Sequence, residues 1–226
     1  MKIEELYQHY KQVGLVATDT RNIEKNTIFF ALKGPNFNGN AFAEKALEAG
    51  AAFSIVDEAI YATKPAILLV DNVLETLQKL ANYHRRQLNI PIIGLTGSNG
   101  KTTTKELLHA VLSKKYKTVA TVGNLNNHIG VPLTLLSMNA ETEIGIVEMG
   151  ANHQKEIEFL SQLCAPNFGY ITNFGKAHLE GFGGIEGVVK GKSEWYTYLK
   201  SEGGTAFANP DDYLKLEKTK ALASND

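Results

Sequence analysis

The chain has 226 residues, 43% hydrophobic and 21% charged, with a formal net charge of −1, enough for one large domain or two small ones, each with a core. That balance gives no electrostatic argument for nucleic acid or an anionic membrane as a partner. The single cysteine, Cys164, can form no internal disulfide, no apolar run approaches the roughly 20 residues of a membrane span, and Glu4-Glu5 stand where a signal peptide turns apolar, so the expected location is cytoplasmic.

In chain order, residues 1–88 read as a small α/β unit. Ile3, Leu6, Tyr7 and Tyr10 have helical spacing, and Thr27 to Leu32 is a β-branched and aromatic run that predicts a strand ended by Gly34-Pro35. Ala41 to Ala49 predicts a helix stopped by Gly50, and Ala52–Val56 and Ala66–Val70 predict two further strands. Val73 to Leu88 puts Leu74, Leu77, Ala81, His84 and Leu88 on one stripe, with Lys79, Arg85 and Arg86 off it. His84 on that stripe reads as a packed helix residue rather than a ligand. Asn89-Ile90-Pro91 is the expected linker, and residues 89–226 form the second unit.

That unit opens with Ile92-Ile93-Gly94-Leu95-Thr96, then Gly97-Ser98-Asn99-Gly100, then Lys101-Thr102-Thr103-Thr104-Lys105-Glu106 with Leu107, Leu108, Val111 and Leu112 behind. Strand, glycine-bearing turn and helix start together make an anion site, because the first turn of a helix has unpaired N–H groups and the positive end of the dipole. Gly97 and Gly100 let successive N–H groups curl toward one anion. Lys101 supplies a mobile cation for the outer phosphates, and the Thr102 hydroxyl is placed to ligate Mg²⁺. The usual phosphate-loop spacing asks for glycine at position 95, where this chain has Leu95. The reading is nucleotide binding, ATP or GTP, with Gly97 to Thr103 as the phosphate site.

Thr118–Val122 predicts the next strand, and Gly123-Asn124-Leu125-Asn126-Asn127 with Gly130 and Pro132 predicts a loop whose amides either cap local backbone or serve a ligand. Strands follow at Ile144–Met149, Phe168–Thr172 and Thr205–Ala208, with helices carrying Ile157, Leu160 and Leu163 and spanning Ile185–Leu199. This rhythm predicts α/β architecture with a mostly parallel sheet, whose ligands sit at the carboxyl ends of the strands. Glu148 ends one strand, where a nucleotide enzyme places a carboxylate for Mg²⁺ or water; the plainer reading is a solvated residue. His178, after another strand, is either a ligand or a loop-packing residue. On the last long helix, Lys190 has Glu186 and Glu194 four residues away and should face solvent, whereas Lys192 has Val188, Val189, Trp195 and Tyr196 at three or four residues and should point inward.

Thr96 to Glu106, Gly123 to Asn127 with Gly130 to Leu136, Glu148-Met149-Gly150-Ala151-Asn152-His153, Ile171-Thr172-Asn173, Ala177-His178-Leu179-Glu180-Gly181-Phe182-Gly183 and Lys190 to Glu194, with Asp19-Thr20-Arg21 and Phe29 to Gly34 in the first unit, together resemble the Mur ligases. These are ATP-dependent amide ligases of peptidoglycan stem-peptide synthesis, and the likeness is strongest to members that add D-alanyl-D-alanine to UDP-N-acetylmuramoyl-tripeptide. The resemblance implies a UDP-sugar domain at 1–88, including Thr20 and Arg21, and the first part of an ATP-binding domain at 89–226, with the remainder and a third domain lying beyond it. It implies catalytic roles for Lys101, His178 and Lys192, substrate contacts from Asn126 and Asn127, one Mg²⁺ on Thr102 and Glu148, and a second on His178 and a carbamylated Lys192. Relatives commonly read Asp-Gly-His where this chain has Asn38-Gly39-Asn40, so those side chains are not assigned to substrate. The alternatives are a nucleotide-binding piece without turnover, a ligase adding the third stem residue, and a folylpolyglutamate synthetase. Asn126-Asn127 and the run from Ala177 to Gly183 argue against the last two.

Overall fold

The computed structural model describes residues 1–209, so Pro210, Asp211 and Asp212 of the sequence lie outside the described residues. The chain divides into two compact units, Met1–Gln87 with Leu135–Asn139, and Leu88–Thr134 with the chain from Ala140 onward.

In the first unit, α1 (Ile3–Val13) leads into β1 (Leu15–Ala17), β2 (Thr27–Phe30), a small hairpin of β3 (Lys33–Gly34) and β4 (Phe37–Asn38), then α2 (Ala43–Glu48), β5 (Phe53–Val56), β6 (Ile67–Leu69) and α3 (Val73–Gln87). The four longer strands form a parallel sheet in the order β1-β2-β5-β6. Phe29, Ala31, Val56 and Ile67 pack on Ala43 and Ala46 of α2. The α3 stripe is rotated slightly from its sequence reading: Val73, Leu77, Leu80, Ala81 and His84 are buried, and so is Arg85. His84 is a packed residue, with Nδ1 3.2 Å from the Tyr7 hydroxyl and Nε2 2.9 Å from the Met138 carbonyl. Burial pushes its pKa down. Asn38 and Asn40 close a local clasp: Asn38 Oδ1 accepts the Asn40 N–H at 3.0 Å, and the fully buried Asn40 bonds Asp57 through both ends of its amide, at 2.9 Å each.

The second unit contains β7 (Ile92–Thr96), α4 (Lys101–Leu112), β8 (Thr118–Ala120), α5 (Gly130–Leu136), β9 (Ile144–Glu148), α6 (Glu156–Cys164), β10 (Phe168–Ile171), α7 (Leu179–Phe182), α8 (Ile185–Ser201) and β11 (Thr205–Phe207). Its five strands are all parallel, in the order β11-β10-β7-β9-β8. The chain therefore leaves the central strand β7, crosses by α4 to the edge strand β8, and returns to β9. The fold is α/β; Ile92–Thr96 is a strand as expected, and the other expected strands are shorter by a residue or two. Sequence reading misses β1, the β3–β4 hairpin, α5 and the single turn of α7, all too short for periodicity to register. It also misjudges α4: Leu107 and Val111 are 63% and 68% exposed, and the one fully buried residue of that helix is Lys105.

Helix α8 is seated by its single tryptophan. Trp195 is fully buried over Gly94 of β7 and Gly169 of β10, which are direct neighbours in the sheet register. A Cβ built on Gly94 would lie 2.1 Å from Trp195 Cη2, and one on Gly169 2.0 Å from Nε1. The paired glycines form a slot that nothing larger permits. Gly94→Ala or Gly169→Ala should therefore lower stability by about 1–3 kcal/mol through overpacking, measured by urea denaturation and accompanied by a change in Trp195 fluorescence. Wild-type stability and emission in both variants would show that the slot is not closed.

Candidate active site

The site forms at the carboxyl ends of β7, β9 and β10. After Thr96 the chain turns through Gly97, at φ +142°, where an added Cβ would lie 1.9 Å from Thr172 Oγ1. It enters α4 through Gly100, at φ +77° in the left-handed region. Close approach requires glycine at 97, and glycine at 100 takes the left-handed conformation without strain.

The loop is clamped by the end of β10. The Ser98 N–H donates to the Asn173 carbonyl at 3.0 Å, and the Ser98 hydroxyl donates to the Gly175 carbonyl at 2.8 Å. Asn173 Oδ1 accepts the Asn99 N–H at 3.2 Å, while the Thr172 hydroxyl and Asn173 Nδ2 donate to the Asn99 carbonyl at 2.6 and 2.9 Å. The loop is thus preorganised by side chains that follow β10, 73 and 74 residues further along the chain. In the sequence, this clamp shows only as a hydroxyl- and an amide-bearing residue, Thr172 and Asn173, following a strand.

The opening turn of α4 presents N–H groups for which the helix has no acceptors. Lys101 Nζ folds back to the carbonyls of Gly97 at 2.9 Å and Ser98 at 3.3 Å. Burial lowers its pKa and the nearby Glu148 opposes that shift. Thr103 is exposed on the same turn.

Glu148 ends β9 at 1% exposure, so it is not the solvated residue of the plainer reading. Its Oε1 accepts from Asn126 Nδ2 at 2.8 Å and from the Thr102 hydroxyl at 3.4 Å, and its Oε2 is buried without a hydrogen-bond partner. Asn126 and Asn127 divide the two uses foreseen for loop amides. Asn126 reaches Glu148, whereas Asn127 Oδ1 caps α5 by accepting the N–H groups of Ile129 and Gly130 at 3.0 and 2.9 Å.

Lys101, Asn126, Asn127 and His178 line one cavity of about 260 Å³, together with Gly150 and Glu156. His178 is exposed at its rim and takes a left-handed φ of 55° at the start of α7. Lys192 is not among the lining residues. It lies buried beneath, 1% exposed, with Nζ 5.3 Å from the centre of the Phe182 ring. Burial, and then the charge of Lys101, bring its pKa down to about 8. Lys190 is exposed. A larger groove of about 700 Å³ runs past Lys190 on the outer face of α8, away from Lys101 and Glu148.

One expectation on α8 needs correction. Glu194 is not part of a solvated charged face: its carboxylate accepts the N–H groups of Lys155 at 2.7 Å and Glu158 at 3.1 Å. It caps α6 from a neighbouring helix, a partnership that no spacing within α8 could reveal. Among the described residues there is no cluster of three or more His, Cys, Asp or Glu side chains suited to a metal, and no helix long and apolar enough to cross a membrane.

Thr20 and Arg21 lie in the first unit, in a hollow of about 560 Å³ shared with Phe37, Phe42 and Lys45. Thr20–Asn22 is a short 3-10 turn capped by Asp19, which accepts the Arg21 N–H at 2.9 Å and holds the Arg21 guanidinium at Nε, 3.0 Å away. Those hydrogen bonds keep the Asp19 carboxyl well below the usual range.

Comparison with known proteins places this geometry. Residues 95–225 match the Mur ligase middle domain, and residues 12–85 match the description "Mur ligase family, catalytic domain". The chain is 43% identical over 202 residues to the UDP-N-acetylmuramoyl-tripeptide--D-alanyl-D-alanine ligase of Bacillus subtilis, covering 88% of this chain and 44% of that protein. The ligase of the same name from Escherichia coli is 41% identical, with 87% and 43% covered. Among solved structures, MurF from Acinetobacter baumannii superposes with a TM-score of 0.86 at 36% identity, over 99% of this chain and 51% of that one. MurF ligase from Thermotoga maritima, in complex with ADP, gives 0.82 at 32% identity, over 92% and 48%. The chain thus spans about half the length of these relatives. With two family descriptions matching in succession and the phosphate loop, Glu148 and the Asn126 loop assembled in one unit, the chain belongs to the Mur ligase family.

Proposed function

We propose that this chain is part of an ATP-dependent ligase that joins D-alanyl-D-alanine to UDP-N-acetylmuramoyl-tripeptide in the cytoplasm. The γ-phosphoryl group of ATP passes to the free carboxylate of the tripeptide, giving ADP and an acyl phosphate. The amine of D-alanyl-D-alanine then attacks the acyl carbon and expels phosphate. The observation that carries this reading is the convergence of Thr102 and Asn126 on one oxygen of the buried Glu148, beside a preformed phosphate loop.

The first step brings two anions together, so its barrier falls only if positive charge is placed between them. Lys101 is that charge within the chain: its ammonium rests on carbonyls of its own loop, and a short rotation of a flexible stem carries it to a bound phosphate. The N–H groups opening α4 orient the phosphates, and the Thr172–Asn173 clamp spares the loop from ordering itself at each turnover. A buried carboxylate oxygen without a partner next to a threonine hydroxyl suits a hard cation. Thr102 and Glu148 would hold Mg²⁺, which when bound screens phosphate charge. Lys192, deprived of solvent, has an amine able to add CO₂, losing a proton and becoming an anionic carbamate; with His178 it would hold a second Mg²⁺. In the first unit, Arg21 and Lys45 offer positive charge and Phe37 and Phe42 offer flat surfaces in one hollow. That combination suits the diphosphate and base of a UDP-sugar, with Thr20 at its edge.

Glu148→Gln in the intact protein preserves shape and removes the charge. It should reduce turnover on the order of 10²-fold while leaving the thermal midpoint unchanged; near-normal turnover would remove Glu148 from the reaction. Lys192→Ala should lower activity, with partial recovery when a short-chain carboxylic acid is added to occupy the vacated site. ¹³C-labelled bicarbonate should give a carbamate resonance in the wild type that Lys192→Ala lacks. Lys190→Ala should be nearly silent in both assays, and a damaging Lys190→Ala with a silent Lys192→Ala would reverse the assignment.

A further inference from the structure

Lys105 is fully buried one turn beyond Lys101 and Thr102, and no step of the chemistry above uses it. Each of its three donors has a partner: the Thr121 carbonyl at 2.7 Å, the Gly123 carbonyl at 3.2 Å and the Glu106 carboxylate at 2.8 Å. Burying an ammonium is costly unless every hydrogen is used, so a lysine here carries out a task that leucine or methionine would not.

That task is visible in the ladder between β8 and β9. Ala120 pairs with Ile146, and the Thr121 N–H continues the ladder by donating to the Ile146 carbonyl at 3.0 Å. In a regular parallel ladder the Thr121 carbonyl would next accept the N–H of Glu148. Instead Lys105 has taken that carbonyl, and the Glu148 N–H donates to the Thr121 side-chain hydroxyl at 3.0 Å. The chain then leaves β8 through Gly123, the second carbonyl held by Lys105, and reaches Asn126, whose amide meets the Glu148 carboxylate at 2.8 Å.

We propose that Lys105 is a positioning residue: by drawing the Thr121 and Gly123 carbonyls onto the phosphate-loop helix, it ends the ladder one bond early and sets the Glu148 carboxylate against Thr102 and Asn126. The function assigned to this arrangement rests on the ligase reading above; the tether itself does not. Removing the ammonium frees the Thr121 carbonyl to take back the Glu148 N–H, which shifts the end of β9 and releases the loop that carries Asn126. Glu106 is largely exposed and is only the outer partner of the pair.

The test uses Lys105→Met, Lys105→Gln and Glu106→Ala in the intact protein. Lys105→Met should raise the Mg²⁺ concentration for half-maximal turnover about tenfold, as loss of a residue behind a metal ligand commonly does, with the KM for the UDP-linked peptide within about twofold of wild type. Lys105→Gln, which keeps one donor, should fall between them, and it serves as the reading if Lys105→Met does not fold. Glu106→Ala should match wild type. An unchanged Mg²⁺ requirement in the lysine variants, whatever their stability, would reduce Lys105 to a structural residue and overturn the proposal. So would a Glu106→Ala shift as large as that of Lys105→Met. Amide hydrogen exchange without nucleotide separates the tether from the ligase reading: exchange at residues 121–124 and Glu148 should be faster in Lys105→Met than in wild type even if the substrate assignment fails, and equal rates would overturn the tether.

Discussion

A carboxylate buried to 1% exposure at the end of a strand has to be answered by donors, and the second unit is arranged to supply them to Glu148. The Thr102 hydroxyl comes from the phosphate-loop helix, the Asn126 amide from the loop after the edge strand, and the Thr121 hydroxyl takes the Glu148 backbone N–H. Both side-chain donors go to one carboxylate oxygen, and the second oxygen is left without a hydrogen bond. A buried anion so incompletely satisfied is costly for a purely structural residue. Three separate segments, the phosphate-loop helix, the Asn126 loop and the residue after β8, meet at this one strand end.

Among the described residues, the same unit buries two lysines and treats them in opposite ways. Lys105 is surrounded by acceptors, one for each of its donors. Lys192 has an aromatic ring beneath its ammonium and the positive Lys101 nearby, and its pKa is drawn down to about 8. Saturation of the donors suits a fixed tether, and desolvation suits an amine that reacts. The slot that seats Trp195 over Gly94 and Gly169 also decides how deeply α8 sinks toward the sheet, and hence how far Lys192 is removed from water.

Anion sites built from backbone amides work only when the backbone is already in place. The Thr172 and Asn173 side chains supply that order from β10, and the left-handed Gly100 turns the chain into α4. Lys101, by contrast, is held only by two carbonyls of its own loop. The cradle is therefore braced from another strand, and the cation is tied to its own loop.

Much of this was legible in the residues themselves. Alternating apolar runs and helical stripes specify α/β units, because strand and helix periods of 2 and 3.6 are local properties. The turn between Thr96 and Lys101 is likewise local, since glycine takes φ +77° at Gly100 without strain and leaves room for the contact at Gly97. Helical phase alone also separates Lys190 from Lys192. The sequence could not determine which polar residues would meet. Asn173 clamping Asn99, Glu194 capping α6 and Lys105 reaching Thr121 all join segments that only the tertiary fold brings together. In α4 the local signal even pointed the wrong way: Leu107 and Val111 face outward, and a lysine is the residue it buries. Hydrophobic pattern predicts a buried face only where burial is driven by apolar area. On α4 the inward position was decided by two carbonyls at the frayed end of an edge strand, and only the tertiary structure brings those within reach.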